Sequence, residues 1–587
     1  MKPRGSVFEQ CAVAVLAAAL AIGIAYNAIG FSQGLAVPHS GTGDAACMTA
    51  IAKGFLEQGG IYHNPWLGAP GIQELFDFPN SDLLNWMVLR GLVLFAGQPV
   101  TATHLFLLGS FALAAATAAL VALRLRVLPP AALFVGVCFS LLPYHFYRGV
   151  GHLFLANYFM VPVAVLIAVR LMGPLPVRPS SADVMPYAMR SLLPPALVCV
   201  VIGMTGIYYA VFSCMVWGVA GAYGWREHGW RNFRAMLMLV LLTGLVVVAQ
   251  GLPNALYNAR EGRNPHAVER SRGGAELFGF RLGQLVLPSS HHRVPALKGI
   301  GQAYESGLQG LGFPPTEAHN SAAIGLLGGL GFLALFPLLV LTRDSDDSGD
   351  LVGERFFHKL SVLGVAVFVL GVGGGIGSLM GLVFPLIRAY NRISVFAGFL
   401  GLLTIAAAVT LLSQAVSSTR STLVCTLLCA VLLPLGVLDE VPVGVYDVRS
   451  ASDDWKALGR FVGQVEQSLP SGAMIFQLPY VPFPENPPVH RMHDYDHLKP
   501  YLHSRGIRWS YGAIKGRKVA DWQRRVASLP PQEMVAELRG ADFRGIWVDR
   551  FGYEDSGMTL ETSLADALGG PSAIVSADGR YTFFSLD

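Results

Sequence analysis

The sequence predicts a mainly α-helical, polytopic membrane protein. About 11 transmembrane helices fill residues 1–440, and a C-terminal periplasmic α/β domain follows over 441–587. Three observations carry this. The 587 residues are 53% hydrophobic and 14% charged, where soluble proteins carry about 25% charged residues, and the mean hydropathy is +0.49. Apolar runs near the roughly 20 residues that cross a bilayer recur up to residue 438 and then stop. Lys and Arg collect in every second short loop between those runs. The formal charge of +4 gives no basis for a nucleic-acid partner.

The expected spans are 11–33, 103–123, 130–146, 152–172, 190–205, 207–225, 235–252, 320–342, 359–377, 393–413 and 421–438. Those at 130–146 and 190–205 are short and contain prolines, so they read as tilted or broken helices. Residues 83–97, LLNWMVLRGLVLFAG, are short and carry Arg90, which suits an in-plane interfacial helix. The first run follows Lys2 and Arg4 as a signal peptide would. It is too long for one and no A-x-A site follows, so it reads as a retained span. The seven cysteines contain no CxxC and no Cys/His ligand spacing, which supports neither a disulfide framework nor a structural zinc.

Orientation follows from the short basic loops. Lys2 and Arg4 place the N-terminus in the cytoplasm. Arg124 and Arg126, Arg178 and Arg190, Arg226, Arg231 and Arg234, Arg343, Arg355 and Lys359, and Arg420 then fall inside as well. An odd number of spans puts residues 34–102, residues 253–319 and the tail outside, in the periplasm of a bacterium whose inner membrane holds the chain. The tail alternates strand-like runs (473–480, 545–550, 581–586) with amphipathic helical ones (454–469, 521–529, 534–540), and it is long enough to bury a core of its own. No repeat of 20–50 residues is present.

The first outer loop carries Asp44, Glu57, Glu74, Asp77 and Asp82 together with His63 and Trp66. A loop this long is uncommon unless functional. Residues 45–56 suit a helix with Asp44 at or near its N-cap, a role worth about 1 kcal/mol by itself. PYHFYRGVGH, residues 143–152, brings Tyr144, His145, Tyr147, Arg148 and His152 to an outer membrane edge. It reads either as an aromatic belt with a snorkelling arginine or as an anion site built on an arginine fork. In PLIRAYNRISV, residues 385–395, Arg388 and Arg392 would share one helical face. That spacing repels unless an anion lies between them, and outer ends are where few arginines are expected. Elsewhere in the second outer loop, Arg260, Arg263, Arg270 and Arg272 alternate with Glu261, Glu269 and Glu276, a mutually neutralising face by default. His291 and His292 are adjacent, a poor chelating pair. In the tail, Trp509 and Tyr511 beside Lys515 and Arg517, with Trp522 following, suit stacking on a sugar or packing onto the membrane domain.

Outer arginines, an outer acid next to the first span and a periplasmic tail together suit chemistry on a lipid-linked phosphate ester met at the outer leaflet. Arg148, His152, Arg388 and Arg392 would hold its phosphate. There is no GxxxxGK[ST] and no GxGxxG in a strand–turn–helix context, so no nucleotide site is visible. The layout of residues 1–440 resembles the GT-C superfamily of polytopic glycosyltransferases that use polyprenyl-phosphate sugars. The resemblance rests on GTGDAAC, HNPWLGAPG, HFYRGVGH and RAYNR. It implies that Asp44 is the catalytic base, often aided in that family by a second acid or a divalent ion, and it nominates no second acid here. The implied partners are a polyprenyl-phosphate-linked sugar, membrane lipid and a glycan or lipid acceptor. Asp77, Asp82, His63, Trp66, Trp509, Tyr511, Lys515 and Arg517 are the candidates for the acceptor or sugar. The tail resembles those of bacterial membrane proteins of the sugar-transferase type. A flippase for lipid-linked sugar is the main alternative, and a non-catalytic envelope assembly factor the next. A transporter binds near mid-membrane, whereas the ionisable residues here gather at the outer ends of the spans. A phosphoethanolamine or phosphoglycerol transferase is disfavoured, because the tail is small and has no obvious metal-ligand set.

Overall fold

Long runs of Ala, Leu, Val and Phe present no polar face to water and fold as helices buried in protein or lipid. The computed structural model describes residues 6–39, 43–57, 60–78, 81–175, 184–267, 270–314, 318–342, 353–446, 448–570 and 573–586, without side chains at 184–193 and 318–319. Lys2, Arg4, Arg178, Glu269, Arg343 and the Arg190 side chain lie outside the described residues. Among those described, seven helices are long and apolar enough to cross a membrane: Val7–Ile29 (α1), Pro99–Arg124, Pro129–Arg148, Ile207–His228, Trp230–Gln250, Tyr390–Val416 and Ser421–Glu440. Leu83–Ala96, Val161–Leu171, Pro194–Thr205 and Leu326–Leu341 are shorter apolar helices.

Seven of the expected spans thus coincide with helices long and apolar enough to cross a membrane, and the remaining runs form shorter or less apolar helices. The run at 152–172 is split into Leu153–Ala156 and Val161–Leu171, with Pro162 setting the start of the second piece. The run at 320–342 gives 16 helical residues. The run at 359–377 becomes Glu354–Gly371, whose first turns carry Glu354, Arg355 and Lys359. Helices Leu326–Leu341 and Ser394–Val416 touch backbone to backbone: a Cβ at Gly331 would collide with the Gly401 carbonyl. Small residues at such crossings permit the close approach that apolar helices need in lipid.

After α1 ends at Gly30 in the left-handed region, the chain forms helix Asp44–Glu57 (α2) and a short antiparallel pair, His63–Asn64 (β1) with Gln73–Glu74 (β2). The tail strands are Ala473–Leu478 (β3), Ile507–Trp509 (β4), Phe543–Asp549 (β5), Ala573–Val575 (β6) and Tyr581–Ser585 (β7). They make a mixed sheet in the order β4-β3-β5-β7-β6, with β3 parallel to β4 and β5 and with β7 antiparallel to β5 and β6.

Strand β3 reads AMIFQL and is buried at every position, the signature of a strand covered on both faces. One face packs Met474, Phe476, Ile546 and Phe584 against Val526, Met534 and Leu538 of tail helices. The other packs Ile475, Trp509 and Trp547 into a cluster that includes Leu67 and Leu75 of the first loop and Ala45, Ala50 and Phe55 of α2. The tail thus buries one core almost entirely its own, as its length suggested, and shares a second with first-loop residues.

Lys53 of α2 locks this join. Its buried Nζ donates to the carbonyls of Tyr501 and Ser504, both at 2.6 Å, and pairs with Glu57 at 2.9 Å, which itself accepts from the Tyr501 hydroxyl. Removing one partner of a buried ion pair strands the other, at about 3–5 kcal/mol. Lys53→Ala is expected to lower the thermal midpoint of the purified protein and expose the 499–505 segment to protease, while Lys53→Arg retains most of the protection.

Candidate active site

The first loop, the second loop and the tail meet at one end of the helical bundle. Arg517 of the tail grips Asp77 of the first loop through Nε at 2.7 Å and Nη2 at 2.9 Å. Asn264 of the second loop donates to Asp77 at 3.2 Å and to the Lys515 carbonyl at 2.8 Å.

Asp44 begins α2. The Gly43 carbonyl accepts the amides of Ala46 and Cys47 at 3.0 and 3.3 Å, so Gly43 (φ +58) occupies the cap and Asp44 the first turn. A carboxylate there is favoured by the positive end of the helix. Its Oδ2 lies 3.4 Å from His152 Nε2, and both side chains are partly exposed, at 49% and 35%. His152 is brought round by a turn in which its amide bonds the Arg148 carbonyl at 2.8 Å.

On the tail side stands Asp494. Its two oxygens accept the amides of Tyr495 at 2.9 Å and Asn486 at 3.2 Å. Burial pushes its carboxyl up to about 6; the two amide bonds oppose this, and the charges of Asp44 and Glu485 reinforce it. Asp44 and Asp494 are therefore electrostatic neighbours.

A strip of cations adjoins these acids. Glu485 sits in the fork of Arg270, at 2.6 and 2.8 Å. Arg388 lies within electrostatic range of Arg270, Glu485, Tyr208 and Arg392. The Arg388 guanidinium covers the Phe278 ring at 4.9 Å, and that of Arg392 covers the Tyr208 ring at 4.2 Å. Arg392 also pulls against the rise of the Asp82 carboxyl, which burial pushes up to about 6. The neighbouring Tyr209 is within range of both Arg392 and Arg148, and Arg148 is buried over the Tyr144 ring with Nη2 3.2 Å from Ser321 Oγ.

Asp44, His152, Arg148, Arg388, Arg392 and Asp82 thus belong to one neighbourhood. Arg388 and Arg392 do not share a helical face. Arg388 lies in an irregular segment and Arg392 in the 3₁₀ turn Tyr390–Ile393, because the Asn391 amide bonds the Phe278 carbonyl of another loop at 3.0 Å instead of its own helix. Arg270 pairs with Glu485, 215 residues away in the tail.

Several candidates make contacts within the scaffold. Trp509 is fully buried, its ring edge-on to Trp547 at 5.4 Å and its Nε1 bonded to Ser504, so it has no face for a sugar. Tyr511 is buried against Phe483. Asp77 and Arg517 satisfy each other, and Lys515 donates to the Glu485 carbonyl at 3.0 Å. His63 lies 3.7 Å from Glu74, and the Trp66 carbonyl accepts the Trp509 amide at 2.8 Å. His145 stacks on Phe111 with ring centroids 3.5 Å apart and bonds Ser110. His291 and His292 face Tyr147 and Asp439 respectively. Among the described residues no group of three or more His, Cys, Asp or Glu could hold a metal ion.

No protein-family model matches the sequence, and no curated protein matches it. Over nearly its whole length the chain is similar to several solved structures, among them the following three. The crystal structure of ArnT from Cupriavidus metallidurans bound to undecaprenyl phosphate shares 14% identity at a TM-score of 0.46, covering 98% of each chain. The apo state of the same protein shares 12% at 0.49, covering 97% of each. Arabinofuranosyltransferase AftD from Mycobacteria, mutant R1389S, shares 13% at 0.43, covering 99% of this chain and 42% of the other.

Proposed function

We propose that this chain is a membrane glycosyltransferase that moves a sugar from a polyprenyl-phosphate donor to a glycan or lipid acceptor at the periplasmic face of a bacterial inner membrane. One observation carries the reading. Four arginines from three distant segments, Arg148, Arg270, Arg388 and Arg392, gather at one end of an apolar helical bundle, and Glu485 in the Arg270 fork acts with the partly exposed Asp44 on Asp494.

Arginine forks suit phosphate oxygens, and fixed cations stabilise the charge that grows on a leaving phosphate. The acceptor hydroxyl oxygen attacks the anomeric carbon. The bond from that carbon to the phosphate oxygen breaks, and the polyprenyl phosphate leaves with the electron pair. Asp44 takes the hydroxyl proton as general base, and His152 at 3.4 Å steadies the carboxylate. The N-terminus would be cytoplasmic and the tail periplasmic, with 1–440 and 441–587 as the two functional parts.

The test uses the full chain in liposomes with radiolabelled polyprenyl-phosphate sugar and a cell-envelope extract as acceptor. The expected result is label on an acceptor with release of polyprenyl phosphate. Movement of intact lipid-linked sugar across the bilayer with no acceptor present would replace this reading with a transporter.

A further inference from the structure

Glu485 occupies the place where an anion would sit. Its carboxylate lies in the planar fork of Arg270 with two near-parallel bonds of 2.6 and 2.8 Å, the same two-point geometry that Arg offers a phosphate. Three cations, Arg270, Arg388 and Lys515, act on this carboxylate, and Arg392 lies within range of Arg270 and Arg388. A phosphate entering this cluster would meet the same arginine fork that Glu485 now fills.

Glu485 is also held in an unfavourable backbone. Its φ is +52, a left-handed conformation that non-glycine residues rarely adopt. Its amide bonds the Tyr495 hydroxyl at 3.2 Å, and its carbonyl accepts Lys515 Nζ at 3.0 Å. The Arg270–Glu485 pair joins the second loop to the tail, one residue from Asn486, whose amide fixes Asp494.

We propose that Glu485 is a resident stand-in for the donor phosphate: it holds Arg270 while the site is empty and yields that arginine to a lipid-borne phosphate. Arrival of the lipid therefore unlatches the second loop from the tail and frees the segment that positions Asp494. The proposal rests on the phosphate-donor reading above and adds competition between a protein carboxylate and the ligand. The chemistry alone would serve a lipid headgroup or free phosphate, and two ligands separate them.

The experiment measures binding of undecaprenyl phosphate, and separately of inorganic phosphate, to the detergent-solubilised full chain and to Glu485→Gln, with Glu485→Ala as a second variant. Glu485→Gln is expected to bind undecaprenyl phosphate roughly tenfold tighter than the native chain, since the competitor has lost its charge. In the native chain, undecaprenyl phosphate is expected to raise hydrogen exchange at residues 484–496, as the substitution does without ligand. If the native chain binds undecaprenyl phosphate and both variants bind it equally or more weakly, Glu485 merely positions Arg270 and the latch is wrong. If neither the native chain nor either variant binds it, the donor reading itself fails and the latch with it. Equal tightening for inorganic phosphate would sustain the competition and overturn its restriction to lipid.

Discussion

Asp44→Asn is expected to reduce sugar transfer by about 10²–10⁴-fold, the usual contribution of a positioned general base. The substitution preserves shape, keeps an acceptor oxygen in the first turn of α2 and leaves its contact with His152 possible. Folding and membrane insertion should be unchanged. The fall should appear in kcat at saturating donor rather than in donor KM, because the phosphate is assigned to the arginines. Full activity in a folded Asp44→Asn protein would move the base elsewhere, with Asp494 the first alternative. The pH profile distinguishes these two acids. The Asp494 carboxyl, raised to about 6, takes up its proton as pH falls through that value. An inflection near pH 6 that survives in Asp44→Asn and vanishes in Asp494→Asn would mark Asp494 as a second working acid.

The second large effect concerns the tail. Arg580 Nη2 bonds Asp496 and Asp549, each at 2.7 Å, and Lys499 joins Asp496 at 2.8 Å. Both carboxylates are almost wholly buried. Arg580→Ala would leave two buried negative charges with one remaining cation, a loss of about 3–5 kcal/mol. A marked drop in thermal midpoint is expected, along with loss of transfer, because the same sheet packs on the loop that carries Asp44. Arg580→Met at an unchanged midpoint would show that the network contributes nothing. The acid dependence has a definite sign. Burial raises the Asp496 carboxyl, but Lys499 and Arg580 outweigh it and hold the group below its usual range. Its stabilisation is therefore complete above the unfolded value of about 3.9 and is lost as pH falls below that through the folded value. Thermal shifts of native and Asp496→Asn proteins should converge only in that acid window.

The sequence signals of the site differ in kind. Arg148, Arg388, Arg392 and Asp44 stood out because each interrupts or borders an apolar run, where a charge is costly unless it has a role. Arg270, Glu485 and Asp494 lacked that signal. They lie in polar segments, where charges ordinarily face water and nearby opposite charges suffice as partners. A partner of Arg270 lies 215 residues on, and Asp494 in HDYD has no spacing that marks it. Trp509 carried two readings, a sugar platform or a packing residue, and its full burial on edge strand β4, in the cluster shared with the first loop, fits the second.

Composition and periodicity by themselves determined that the chain is mainly helical and apolar, where its apolar runs fall, and that residues beyond 440 alternate strands with amphipathic helices. These are local properties, set by side-chain hydrophobicity repeating at a fixed period. Tertiary structure alone decided that a strand of the tail completes its core with α2 and the first loop. It also decided that Glu485 occupies the Arg270 fork and that Asp494 stands beside Asp44. Charge pairing and shared cores act through space over a few ångströms, and no local pattern records which distant residue will arrive there.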